Sequence, residues 1–186
     1  MVWISRFRLR LAARHLRRGG LVAYPTEAVY GLGCAPLNGT AVNRLMELKK
    51  RPPTKGLILI AAEFGQIEKF LDLSAAGIRE KLMATWPGPI TWIVPARPWV
   101  PHWLRGVQGT IAVRVTSHEP AAALCRAFGG PIVSTSANPS GAAPARTRLK
   151  VRQYFRAAEL AFLPGTTGGL QRPTSIYDAR SGARLR

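Results

Sequence analysis

The chain has 186 residues, of which 47% are hydrophobic and 19% charged, a balance typical of one globular domain and not of a disordered chain. Lysine and arginine number 27 against 9 acidic residues, for a formal net charge of +18. Such a surface favours a polyanionic partner, whether nucleic acid, nucleotide phosphates or an anionic membrane, although an arginine-rich proteome alone would give the same excess.

The cysteines and histidines indicate whether the protein holds disulfides or a structural metal. Cys34 and Cys125 lie outside any Cys-x-x-Cys spacing, and the three histidines form no local ligand pattern, so we expect reduced thiols and no structural metal. No apolar run approaches the roughly 20 residues that cross a bilayer, and the start of the chain lacks the long apolar core of a secretion signal. These features predict a cytoplasmic protein without membrane attachment.

The first predicted elements are an amphipathic helix and a buried strand. Residues 7–18 place apolar side chains at helical spacing with arginines largely opposite, and two glycines follow; we expect the apolar stripe to face the core and not a membrane. Residues 21–24 form a buried strand. The next segment, 25–33 (PTEAVYGLG), sets Thr26 and Glu27 after that strand and is predicted to be a ligand-facing loop. A simple glycine turn with Glu27 at the surface fits the same pattern.

The most strongly charged segment comes next. A helix predicted at 40–48, capped by Thr40, leads to 49–56 (KKRPPTKG), and a strand at 57–61 follows. Four cations stand within seven residues, and the prolines prevent the helix from continuing. Our interpretation is a loop that holds these cations near a polyanion, with Lys49 and Arg51 on one side of an extended segment; a solvated basic loop is the alternative.

Regular elements continue through the middle of the chain, with helices predicted at 63–70 and 74–85 and strands at 90–94 and 110–115. We expect Trp99 and Trp103 to cover the core edge, because no regular aromatic-basic interleaving suited to base stacking develops around them. Arg114 interrupts an apolar strand, where an unpaired charge is prohibitive. Its partner is therefore either a ligand carboxylate or phosphate, or a structural acid of the chain.

Hydroxyl-rich segments mark the last third. A helix at 119–128 and a buried strand at 131–133 lead into 134–141 (STSANPSG), whose hydroxyls and amide suit phosphate or carboxylate oxygens. With no His and Asp beside them, these serines are predicted to bind and not to act as nucleophiles; an ordinary serine-rich turn is the alternative. The chain continues with a predicted helix at 149–157, a strand at 160–163 and a loop at 164–169, followed by the hydroxyl-containing segment 173–178.

Six motifs occur in the order found in the YrdC-like family, which the chain resembles over about residues 8–180. They are PTEAVYGLG, the Lys-x-Arg of Lys49 and Arg51 followed by Pro52, WPGP with Thr91, AVRV with Arg114, STSAN followed by SG, and PTSI. The resemblance implies the TsaC-type activity, in which L-threonine, bicarbonate and ATP give threonylcarbamoyl-adenylate and pyrophosphate. That adenylate supplies the N6-threonylcarbamoyl group of the adenosine next to the anticodon in tRNA.

The resemblance also implies site residues. The family's catalytic set falls on Lys49, Arg51, Ser136 and Asn138. Positions that hold threonine match Thr26, Arg114, Ser134 and Thr174, and positions near ATP match Lys55, Thr110 and Ser136. Mg²⁺ is expected to accompany ATP through its phosphates, with few or no protein ligands. The implied partners are threonine, bicarbonate and ATP, with tRNA and the downstream threonylcarbamoyl-transfer proteins as further candidates.

Three departures from the family pattern stand out. Many members have PST where this chain has PTS at 173–175, so the role of Thr174 could pass to a neighbouring hydroxyl. Longer relatives carry a histidine near the position of Ile60. The chain also ends near Arg186, and we therefore expect it to close its site without the additional C-terminal domain of those relatives.

The expected fold is a single α/β domain over residues 1–186, a twisted sheet of mixed strand direction with flanking helices and a basic concave site at strand ends. Two other classes stay open. A non-catalytic protein that binds tRNA or rRNA fits the charge of +18, and would show salt-sensitive RNA affinity without ATP turnover. A carbamoyl-transfer relative of the hydrogenase-maturation type is disfavoured, because its acylphosphatase and zinc-finger regions are missing from the sequence.

Overall fold

The computed structural model describes residues 4–52 and 56–186. Its strands are β1 Leu21–Pro25, β2 Tyr30–Gly33, β3 Ile58–Ala61, β4 Ile90–Pro95, β5 Thr110–Val115, β6 Ile132–Ser136, β7 Leu160–Phe162 and β8 Ser175–Asp178. Its α-helices are α1 Arg6–Arg17, α2 Gly39–Leu48, α3 Phe64–Ile67, α4 Ile78–Met83, α5 Glu119–Phe128 and α6 Arg148–Tyr154. Short 3-10 turns follow α3 and precede β5.

All eight strands form one sheet, in the order β7-β1-β2-β6-β3-β5-β4-β8. The pairs β1–β2, β2–β6, β3–β6 and β4–β5 are antiparallel, whereas β1–β7, β3–β5 and β4–β8 are parallel. The predicted α/β fold with a sheet of mixed direction is therefore confirmed.

Both faces of the sheet are covered, as the alternation of side chains along β1 illustrates. Val22 and Tyr24 are buried with α1 and α5 on one face, while Leu21 and Ala23 belong to the larger apolar cluster that includes α2, α4 and α6. Successive side chains of a strand point to opposite faces, so a strand that is apolar at every position is buried on both sides.

Parts of two strands were predicted wrongly as loops. Within 25–33, residues 30–33 form β2, and the serines predicted to follow a strand belong to β6. Residues 175–178, for which no element was predicted, form β8. Glycine, serine and threonine are common in turns, but pairing with neighbouring strands overrides this local preference. Gly31 lies opposite Ser136 in one such pair, and Ile58 lies opposite Ser134 in another.

Two predicted helix caps were also wrong. Asn38, and not Thr40, caps α2, since its side chain accepts a hydrogen bond from the Ala41 amide at 3.0 Å. The predicted start at Ser74 is displaced to Gly77, which adopts a left-handed conformation before α4. Ser74 instead donates its backbone amide to the Asp72 carboxylate at 3.1 Å, which is a local turn and not a helix start.

The end of α2 has a consequence for the charged segment. Lys50 has a φ of 49°, and the amides of Lys50 and Arg51 donate to the carbonyls of Glu47 and Met46 at 2.9 Å each. This is the Schellman arrangement, whose left-handed position favours glycine. The predicted extended alternation of residues 49–51 is therefore wrong, although Lys50 is exposed while Lys49 is buried.

Replacing Lys50 by glycine should stabilise the fold by about 1 kcal/mol, because a side chain in the left-handed region is strained and glycine is not. The change is measured as the free energy of unfolding in urea. Lys50→Ala is the matched control, since alanine removes the charge but keeps the Cβ. Equal stability of the alanine and glycine variants would show that backbone strain at Lys50 has no measurable cost.

Within the part of the chain that the structure describes, no helix is long and apolar enough to span a membrane. Cys34 and Cys125 are both buried free cysteines, and burial raises the pKa of each thiol to about 12. Trp103 is half-buried and donates its indole NH to the Pro36 carbonyl at 3.0 Å. Trp99 is about half exposed (49%) and packs on Phe70, with ring centroids 5.0 Å apart.

Candidate active site

A cavity of about 210 Å³ lies against the middle of the sheet, where β2, β3, β5 and β6 run side by side. Residues from the predicted catalytic, threonine and ATP sets line this cavity, namely Thr26, Arg51, Arg114, Ser134, Ser136 and Thr174. The fold thus brings together residues from five separate segments of the chain.

Strand register explains part of this convergence. Ser134 and Ser136 are two residues apart on β6, so their side chains point to the same face. Gly31 on β2 lies opposite Ser136, and a Cβ at Gly31 would come within 3.1 Å of both the Thr26 methyl and the Tyr24 ring. Gly31 also lines the cavity, and the absence of a side chain there allows Thr26 and Tyr24 to pack closely against β2.

Arg114 is buried at the cavity wall, with 5% of its surface exposed. Its Nη1 donates to the Thr174 hydroxyl at 2.6 Å, and its Nη2 lies 3.3 Å from Glu27 Oε2. The other oxygen of that carboxylate accepts a hydrogen bond from the Thr116 hydroxyl at 2.6 Å. The structural acid is therefore present, and the alternative of Glu27 as a surface carboxylate is wrong. Because Arg114 also lines the cavity, a ligand anion can still approach it.

Two further guanidiniums face the same cavity. Arg186 donates from Nη2 to the Thr174 carbonyl at 2.9 Å, and Arg51 donates from Nη2 to the Gly56 carbonyl at 2.8 Å. Burial, and secondarily the charge of Arg186, lowers the pKa of Arg51. Burial, and secondarily the charge of Arg114, lowers the pKa of Arg186. Cations that are partly desolvated and repel one another are favourable partners for a bound anion.

Lys49 and Asn138 lie beside the cavity, outside the set of described residues that line it. Lys49 is 2% exposed, and its ammonium donates to the carbonyls of Ser136 and Asn138. Burial lowers its pKa to about 8, with a smaller contribution from Arg51. The Asn138 amide in turn donates to the Ala142 carbonyl at 2.7 Å. In this structure, both side chains hold the turn that follows β6.

Of the residues predicted near ATP, Thr110 lies outside the first cavity. Thr110 lines a neighbouring cavity of about 380 Å³, and Gly56 contributes to both cavities. Lys55 lies outside the described residues. The two cavities together are therefore candidates for a ligand longer than the first cavity alone can hold.

Sequence reasoning did not assign three residues to the site that the structure places at the cavity or behind it. Thr116 follows Arg114 by two residues, a strand spacing that places both side chains on one face, and this signal could have connected it to the site. Glu27 was considered but left out of the site. Arg186 carried no local signal, because it reaches Thr174 only through the pairing of the segment 184–186 with β8.

Comparison with known proteins gives consistent matches. A family model, Sua5_yciO_yrdC, described as "Telomere recombination", matches residues 14–186. A Methylococcus capsulatus protein named threonylcarbamoyl-AMP synthase is 57% identical over 186 residues, covering 100% of both chains. A Halorhodospira halophila protein of the same name is 57% identical over 180 residues, covering 97% of this chain and 94% of the relative.

A solved structure, described as P. abyssi Sua5 complexed with L-threonine, superposes with a TM-score of 0.89 at 33% identity. The match covers 98% of this chain and 54% of the P. abyssi chain, so the protein spans about half the length of that structural relative. The fold, the family model and the full-length curated relatives agree, and the chain therefore belongs to the Sua5/YciO/YrdC family.

Proposed function

We propose that this protein is a threonylcarbamoyl-AMP synthase, which converts L-threonine, bicarbonate and ATP to threonylcarbamoyl-adenylate and pyrophosphate. The observation that carries the proposal is the cavity at which Arg114 meets the hydroxyls of Thr26, Ser134 and Thr174. A guanidinium and several hydroxyls suit a small substrate that has a carboxylate and a hydroxyl of its own. The names of the full-length relatives support the same activity.

The chemistry needs two anions to meet. Threonine carbamate, formed from the threonine amine and bicarbonate with loss of water, attacks the α-phosphorus of ATP through a carbamate oxygen. A new oxygen–phosphorus bond forms, the bond to the bridging oxygen breaks, and pyrophosphate leaves with that electron pair. Like-charge repulsion opposes this approach, so fixed cations at Arg51, Arg114 and Arg186 would lower the barrier by preorganised electrostatics. No covalent intermediate on the protein is required.

ATP would extend beyond the first cavity, whose volume of about 210 Å³ suits the smaller substrate. We place its phosphates near Arg51 and Ser136, and its remainder toward the cavity that Thr110 lines, with Lys55 as a further proposed contact. Mg²⁺ would arrive on the phosphates, since it keeps several waters and needs few protein ligands; the oxygen atoms of Ser136 are of the type that it accepts.

We further propose a cytoplasmic location and transfer of the product to threonylcarbamoyl-transfer proteins that act on tRNA. The test is to incubate the protein with ATP, bicarbonate and labelled threonine, omitting each in turn. Pyrophosphate release should require both threonine and bicarbonate, and the label should appear in an adenylate. Equal ATP consumption without them would reject the synthase. RNA binding that weakens with salt, without any ATP turnover, would instead favour the non-catalytic RNA-binding protein.

A further inference from the structure

We infer that Glu27 is a positioning residue of the threonine site, holding the Arg114 guanidinium in the orientation that a substrate carboxylate needs. The inference rests on the proposed function, because it assigns Arg114 to the carboxylate of threonine. Glu27 itself stands behind Arg114 and is not among the described residues that line the cavity. Its role is therefore to act on the substrate through the arginine.

The contacts around Arg114 are asymmetric. Glu27 Oε2 lies 3.3 Å from Nη2, and the Thr174 hydroxyl accepts from Nη1 at 2.6 Å. The arginine Nε is buried without a hydrogen-bond partner among the described residues. The protein thus fixes the two ends of the guanidinium, and a bound anion at the cavity wall would use N–H groups that these contacts leave free.

Glu27 is anchored along both its side chain and its backbone. The Thr116 hydroxyl donates to Oε1 at 2.6 Å, and the Leu170 amide donates to the Glu27 carbonyl at 3.0 Å. The Gly168 amide also donates to the Thr26 carbonyl at 3.0 Å. A Cβ on Gly168 would lie 3.0 Å from the Glu27 carbonyl oxygen, so the segment that contains Gly168 and Leu170 packs directly on the acid.

This anchoring matters because of the other charges nearby. An arginine side chain has many rotamers, and its planar fork recognises a carboxylate only in a defined orientation. ATP phosphates bound near Arg51 would attract the guanidinium of Arg114 away from threonine. A buried carboxylate behind Arg114 opposes that displacement, since the ion pair is stronger in a site shielded from water. Glu27 thereby holds Arg114 at the threonine carboxylate and away from the ATP phosphates.

The first test is Glu27→Gln, which keeps the shape of the side chain and removes its charge. We expect the KM for threonine to rise about tenfold or more, with kcat within about threefold of the native value and the KM for ATP unchanged or lower. A purely structural role would instead weaken both substrates or lower the melting temperature without a threonine-specific effect. An unchanged threonine KM, or equal increases for threonine and ATP, would overturn the inference.

A matched pair at Thr116 keeps the test decisive if Glu27→Gln does not fold. Thr116→Val removes the hydroxyl that holds Glu27 and should raise the threonine KM several-fold, while Thr116→Ser retains the hydroxyl and should stay close to native. Similar threonine KM values for the valine and serine variants would contradict the inference. The native protein is assayed alongside the variants. If it shows no threonine-dependent pyrophosphate release, the proposed function itself is refuted; if it does, the variants test only the role of Glu27.

Discussion

Replacing Lys49 by alanine should cost about 2–4 kcal/mol of transition-state stabilisation in pyrophosphate release, the scale of losing one preorganised donor. The ammonium donates to the carbonyls of Ser136 and Asn138. Its loss removes one donor from each carbonyl, although the Ser136 carbonyl keeps the Asn138 amide at 3.0 Å, and it releases the turn after β6. Ser136 lines the cavity, and a displacement of about 1 Å near reacting groups can cost 10²-fold in rate.

Lys50→Ala is the internal control for Lys49. Lys50 is exposed and adjacent in sequence, so its replacement should cost under about 1 kcal/mol in the same assay, as exposed charges usually do. Circular dichroism would confirm that each variant is folded. Equal losses for the two variants would mean that the segment acts only as a general basic patch.

The pH dependence gives a second readout for Lys49, whose pKa burial lowers to about 8. Raising the pH through this value removes its charge in the protein without ATP. We therefore expect kcat/KM for ATP, at saturating threonine and bicarbonate, to fall as pH rises through about 8. Bound phosphates favour the charged form, so the fall in kcat should come at higher pH. The Lys50→Ala variant should keep both transitions, and a flat profile to pH 9.5 would contradict a catalytic need for the charge.

The second large effect is expected at Arg114. Arg114→Met should raise the KM for threonine by roughly 100-fold, since charge-assisted hydrogen bonds to a carboxylate are worth about 1.5–3 kcal/mol each. The same change leaves Glu27 buried without its cation, and removing one partner of a buried pair costs about 3–5 kcal/mol of stability. The measurements are the KM values for threonine and ATP and the free energy of unfolding.

The double variant Arg114→Met, Glu27→Gln separates these two effects. It removes both charges of the buried pair, so much of the lost stability should return while threonine binding should not. A double variant with native threonine KM would reassign Arg114 to a structural role. A double variant no more stable than Arg114→Met would show that the uncompensated Glu27 charge is not the cause of the instability.

The predictions for Arg114 and Lys49 differ in how well they agree with the structure. A charge inside the apolar strand 110–115 needs a partner for a general electrostatic reason, and Arg114 was recognised on that ground alone. The orientation of Lys49 was derived from strand alternation, which does not apply because α2 ends there in a left-handed turn at Lys50. Such an ending depends on hydrogen bonds to Met46 and Glu47, and lysine carries little local signal for it.

Long-range pairing explains most of the other differences. The glycines and hydroxyls of β2, β6 and β8 resemble turns until their neighbours in the sheet are known. Thr26, Ser134, Ser136 and Thr174, which the resemblance assigned to the site, line one cavity; their roles there stay predictions. Motif order brought these residues into one set, which local pattern alone does not do. Glu27 could not be assigned to Arg114 from sequence, since many residues separate them and only the β1–β2 hairpin and β5 bring them together.

The last part of the chain supplies both edges of the sheet, and this affects how the protein folds. Leu160 pairs with Leu21 at one edge, and Ser175 pairs with Ile90 at the other. Contacts between residues so distant in sequence slow folding, and the wall formed by Thr174 and Arg186 can be completed only after β8 has docked. Edge strands also open in local unfolding at lower free energy than central ones. Amide exchange faster in β8 than in β3 or β6 would mean that the protein transiently loses the Thr174 and Arg186 wall of the candidate site while its central sheet stays folded.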